Sequence, residues 1–118
     1  MNITEEKLIS LGFNKYNTSA ITNDAKKYLF QKRYMNKRGD ILYFLDVYKW
    51  DWTIYPGNEV PEAYKYNITT QLYTKGDHHA VNIEFGAFMT IENAEAFIDT
   101  LFNMGLVEPY ELSNRKEN

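Results

Sequence analysis

Residues 28–50 read YLFQKRYMNKRGDILYFLDVYKW, and this stretch decides the fold. Two runs rich in aromatic and β-branched side chains flank Asn36-Lys37-Arg38-Gly39-Asp40, a polar, glycine-containing turn of the kind that joins hairpin strands. The predicted hairpin pairs residues 28–35 with residues 41–50. Along the second strand Ile41, Tyr43, Leu45 and Val47 share one face, and Leu42, Phe44, Asp46, Tyr48 and Trp50 share the other. Both faces are partly apolar.

Working outward, Pro56, Gly57, Asn58 and Pro61 mark a loop, because proline lacks the donor that a strand ladder needs. A second hairpin follows, residues 64–74 with 80–86, around Lys75-Gly76-Asp77. In its last strand Val81, Ile83 and Phe85 alternate with Asn82 and Glu84, the pattern of a half-buried strand.

A helix is expected at each end. Thr4 is a good N-cap, Glu5 and Glu6 complement the helix dipole, and Ile3 can staple onto Leu8. Gly12 ends this helix near residue 11, with Phe13 placed to fold back onto Leu8. Residues 14–24 are polar and read as a loop or a loose first strand. The second helix runs from the Thr90 cap to Gly105, where Leu106 is placed to pack back on Leu101. Its apolar arc is Ile91, Ala94, Phe97, Ile98, Leu101, Phe102 and Met104, with Glu92, Glu95 and Asp99 on another. Ile98 and Leu101 are expected against the sheet, and the polar tail 113–118 is expected to fray. The order is α-β-β-β-β-α. It predicts one α+β domain over residues 1–118, an antiparallel β-meander of about four strands with a short N-terminal helix and an amphipathic C-terminal one.

The 118 residues fit one domain, and 44% hydrophobic content with seven Phe, ten Tyr and two Trp supplies an ordered core. No cysteine is present, which removes disulfides, thiolate nucleophiles and the strong zinc spacings. The start is acidic where a signal peptide is basic, and no apolar run approaches the roughly 18 residues of a membrane span. The expectation is a cytoplasmic chain with no membrane partner. Net charge is −3 but uneven: residues 1–38 carry eight Lys or Arg against three acids, and residues 77–118 carry eight acids against two cations. Such a dipole can orient a partner.

Catalytic constellations are thin. Asp77-His78-His79 holds both histidines, but strand neighbours point to opposite faces and no second cluster completes a metal shell, so no metal or cofactor is expected. Asp46, Asp51 and Glu84 could supply paired carboxylates with one histidine for a small metal-independent hydrolase or nuclease, although nothing in the spacing brings them together. Ser10, Ser19 and Ser113 lack a nucleophile-elbow context. The chain is therefore read as not an enzyme. The acidic helix stripe reads first as a solvated face.

The segment 26–38 carries more information. Lys26, Lys27, Lys32, Arg33, Lys37 and Arg38 supply six of the thirteen cations with no acid among them, and Tyr28, Phe30 and Tyr34 interleave. Cations neutralise phosphates while aromatic rings stack on unpaired bases, as in single-strand and RNA binders. Trp50 and Trp52 add two possible partner anchors. The plain alternative is a charged edge that resists aggregation.

In overall style, through Leu11-Gly12-Phe13, Tyr48-Lys49-Trp50 and the closing helix 90–105, the chain resembles small proteins carried by bacterial phages and mobile elements. That group includes anti-CRISPR-type inhibitors, which occupy a surface on an effector or its guide RNA. The resemblance implies a non-catalytic inhibitor of a nucleic-acid-handling defence complex, with a protein or ribonucleoprotein partner and RNA or another single strand contacted through the basic hairpin. The alternative is an assembly protein forming homo-oligomers through exposed sheet aromatics.

Overall fold

In the computed structural model, which describes residues 3–17, 26–51, 66–86 and 89–111, an antiparallel sheet carries two helices on one face. The elements are α1 (Glu5–Ser10), β1 (Asn14–Asn17), β2 (Lys26–Met35), β3 (Ile41–Asp51), β4 (Tyr66–Thr74), β5 (Ala80–Gly86), α2 (Ile91–Asn103) and β6 (Val107–Glu108). Strands one to five lie side by side in chain order, and β6 pairs with β4. The expected α+β meander is present, with two strands more than anticipated. β1 falls in the segment read as a loop or loose strand, and β6 follows the last helix. The expected loop at Pro56 to Pro61, the strand start at Tyr64 and the tail 113–118 lie outside the described residues.

The β2–β3 hairpin is built as its sequence demands. Asn36 Oδ1 accepts from the backbone N–H of Arg38 at 2.9 Å and of Asp40 at 3.0 Å, so the side chain organises the turn. The register then sets Phe30 opposite Val47, and Val47 opposite Ile68. One face is thereby a continuous apolar layer, with Phe30, Tyr43, Leu45, Val47, Tyr66, Ile68 and Leu72 buried. Thr70 is buried among them and donates its hydroxyl to the Phe44 carbonyl at 2.7 Å, so no hydroxyl is left unsatisfied there.

The helices seal this layer with Leu8 from α1 and Ile91, Ala94 and Ile98 from α2, together with Ile3 and Phe13. Each fully buried Leu, Ile or Phe contributes about 1.5 to 3 kcal/mol. Lys7 of α1 reaches Glu92 of α2 at 3.7 Å, which ties the two helices together. Thr4 caps α1 by accepting from the Lys7 N–H, and Thr90 caps α2 by accepting from Asn93. At the far end of α1, Gly12 (φ +96°) donates to the Ile9 carbonyl and Phe13 donates to that of Leu8, the paired bonds of a Schellman ending. Gly105 and Leu106 close α2 in the same way, on Phe102 and Leu101.

The apolar arc of α2 is narrower than its sequence suggests. Leu101 and Phe102 are half-buried, while Phe97, Met104 and Leu106 are exposed. A helix is a cylinder and meets a sheet along one stripe, here Ile91, Ala94 and Ile98. Glu95 is also not simply part of a solvated face, because it accepts a hydrogen bond from Tyr34.

Candidate nucleic-acid interface

Strand alternation divides the basic segment between the two faces of the sheet. Tyr28, Phe30, Lys32 and Tyr34 share the helix-covered face, and Leu29, Gln31 and Arg33 share the open one. Phe30 is fully buried, which corrects its expected role: a ring with no exposed surface cannot stack on a base. Tyr34 is spent on the core as well. Its ring stacks on Tyr43 with centroids 4.4 Å apart, and its hydroxyl donates to Glu95 Oε2 at 2.7 Å. Burial and then the Glu95 bond hold the Tyr34 phenol well above its ordinary range. Tyr28 is half-buried with Lys15 Nζ 4.9 Å from its ring centre, and Lys15 itself pairs with Glu5.

Among the described side chains of the segment, four cations remain, Lys32, Arg33, Lys37 and Arg38. β1 begins at Asn14, opposite Gln31, so the outer edge of β2 beyond that point has no strand on it among the described residues. A groove of about 410 Å³ occupies this step, lined by Asn14, Tyr16, Lys32, Arg33, Met35 and Phe44. Lys32 and Arg33 flank the free edge from opposite faces. Lys32 is half-buried, its ammonium 5.0 Å from the Tyr34 ring centre, and Arg33 is exposed. Lys37 and Arg38 are exposed at the adjoining turn, Arg38 only loosely paired with Asp40 at 3.6 Å. Tyr16 supplies an exposed ring beside them, and its position in a four-residue polar strand left no periodic signal. Lys26, Lys27 and Trp50 lie in paired backbone at the other end of the hairpin, Lys27 opposite Trp50. Their side chains, and all of Trp52, fall outside the described residues.

A second cavity, about 440 Å³, lies on the open face across β3, β4 and β5, lined by Asp46, Tyr48, Asn67, Gln71, Asn82 and Glu84 among others. Burial pushes the Asp46 carboxyl above the ordinary carboxylate range, and a hydrogen bond donated by Gln31 at 2.9 Å works against it. Burial, then the charge on Asp46, pushes the Tyr48 phenol up. Asn67 Oδ1 is buried and accepts no hydrogen bond from a described residue. With two carboxylates and no cation in its lining, this cleft repels phosphate.

The cleft does bring Asp46 and Glu84 together, which spacing alone did not foretell. It brings no histidine to them. His78 sits at the β4–β5 turn, where its Nδ1 bonds the buried Glu108 carboxylate of β6, and His79 is exposed. Asp51 ends β3, with its side chain outside the described residues. Among the described residues no three His, Cys, Asp or Glu side chains cluster to hold a metal, and no helix is long and apolar enough to cross a membrane. No protein-family model, curated protein or solved structure matches the chain.

Proposed function

We propose that this chain is a non-catalytic binding protein that engages a single-stranded nucleic acid through the groove at the free edge of β2. The observation that carries the reading is the step left where β1 begins: Lys32 and Arg33 flank it, an exposed Tyr16 lines it, and Lys37 and Arg38 extend the charge at the turn. Cations meet phosphates while a ring offers a stacking face, the combination single-strand binders use. The partner class that would present such a strand is a ribonucleoprotein, the target expected of an inhibitor of the kind the chain resembles.

Fluorescence anisotropy with a labelled single-stranded RNA tests this. Affinity should fall steeply with salt, since each neutralised phosphate releases counterion. The variant K32E/R33E/K37E/R38E should lose binding, and Tyr16→Ala should weaken it by about 1 to 3 kcal/mol. A charge-reversed variant that binds RNA as tightly as wild type would remove the groove from consideration.

A further inference from the structure

Strand alternation puts the basic groove and the polar cleft side by side on the open face of the sheet. Arg33 is paired with Phe44, and both line the groove. Gln31 is paired with Asp46, which lines the cleft, and their side chains are joined by the 2.9 Å hydrogen bond. Phe44 and Asp46 are two residues apart on β3 and so share a face, about 7 Å apart along the strand. A ligand held in the groove therefore has the cleft as its neighbour.

The two depressions are opposite in chemistry. The groove is bounded by cations, whereas the cleft is lined by two carboxylates, carboxamides and hydroxyls. Asp46 stands opposite Thr69, and Thr69 opposite Glu84, so the carboxylates lie in one row across the sheet, two strands apart. Asn82 and Glu84 are exposed, and neither makes a hydrogen bond or ion pair among the described residues. The volume of about 440 Å³ falls in the range of small-ligand sites.

We propose that the cleft takes a base of the strand whose phosphates occupy the groove, and that its carboxylates select guanine, an inference that rests on the reading of the groove given above. Carboxylates repel the phosphates, so the part of a nucleotide that enters the cleft is its uncharged base. Guanine presents two adjacent N–H donors, at N1 and N2, on its Watson–Crick edge, and a carboxylate accepts both at once. Adenine and cytosine set a bare ring nitrogen beside their one amino group on that edge, and uracil sets a carbonyl on each side of its single N–H. Each of these turns an acceptor toward the carboxylate. Glu84 has both oxygens free for such a pair, while Asp46 has Oδ1 engaged by Gln31.

The labour is then divided across the face. The cations of the groove supply affinity without regard to sequence, and the cleft supplies the choice of base, as phosphate contacts position a ligand and base contacts specify it. The two contributions respond to different variants, which makes them separable.

Fluorescence anisotropy with labelled oligouridine RNAs tests this, each strand carrying at its centre a guanosine, an adenosine, a cytidine or no replacement. Wild type should bind the guanosine strand roughly ten-fold more tightly than the others, the discrimination of one good bidentate contact. The variant D46N/E84Q, confirmed as folded by circular dichroism, should bind all the strands alike. Equal, salt-sensitive binding of every strand by wild type, a preference for another base, or a guanosine preference that survives in D46N/E84Q would overturn this inference and leave the groove standing. Absence of binding to every strand would overturn both.

Discussion

Tyr34 and Glu95 stand 61 residues apart in the chain and are joined by one hydrogen bond of 2.7 Å, which fastens β2 to α2 across the core. Tyr34→Phe keeps the stack on Tyr43 and removes this bond, leaving the carboxylate to solvent. The expected cost is about 1.5 to 3 kcal/mol by denaturant titration, as for hydrogen bonds to charged groups. RNA affinity should not change, because the ring faces the helix. The Tyr34 and Tyr43 phenols are both held above their ordinary range, by burial first. Their contribution is therefore complete below the unfolded phenol pKa of about 10 and declines as pH rises beyond it. Tyr34→Phe should show a shallower alkaline loss than wild type.

Asp46 runs the other way at neutral pH. Its folded carboxyl titrates above its unfolded one, so the stability it contributes is present in acid and is lost as pH rises through the folded pKa. Asp46→Asn keeps an oxygen for Gln31 to bond and removes the charge. The variant should be more stable than wild type at neutral pH, with the difference vanishing below about pH 4, the unfolded range. Parallel denaturant titrations across pH measure it.

Ile98 and Phe97 are neighbours on α2 with opposite fates, one fully buried and one half exposed. Ile98→Ala should cost about 2 to 5 kcal/mol. Phe97→Ala should cost clearly less, because its ring is already half exposed. Equal costs would mean that the stripe facing the sheet has been misplaced.

His78 adopts φ +59° while its ring bonds the Glu108 carboxylate, so the side chain repays a strained backbone. His78→Ala keeps the strain and loses the bond, and should lower stability by about 1 to 3 kcal/mol. His78→Gly loses the same bond but relaxes the backbone, and should fall short of that loss by about 1 kcal/mol. Chelator should leave the melting temperature of the wild type unchanged, and a shift reversed by zinc would show that the turn binds metal.

Both helix ends are legible in the sequence, because Leu11-Gly12-Phe13 and Gly105-Leu106 carry their bonding within a few residues. The hairpins were legible through alternation and through Asn36 and Gly39 at the turn. β1 and β6 were not, since four and two residues are too few to set a period. The site was only half visible. The cations of residues 26–38 stand out in sequence, yet which face of β2 is covered depends on α2, more than fifty residues later, and that decides whether Phe30 and Tyr34 serve the core or a ligand. Tyr16 was missed for the same reason: its value comes from where β1 begins against β2, a matter of register.

The strands follow one another across the sheet, so each new strand can add to the one made just before it. Such local pairing suits rapid assembly. The cover is another matter. α2 is nearly the last element in the chain, and it supplies Ile91, Ala94 and Ile98 to the apolar layer. During synthesis Tyr43, Leu45, Ile68 and Leu72 must wait without the cover of α2 until that helix has been made. Slowing translation just upstream of α2 should then lengthen the time in which half-finished sheets can find one another, and a chaperone that shields apolar strands should shorten it.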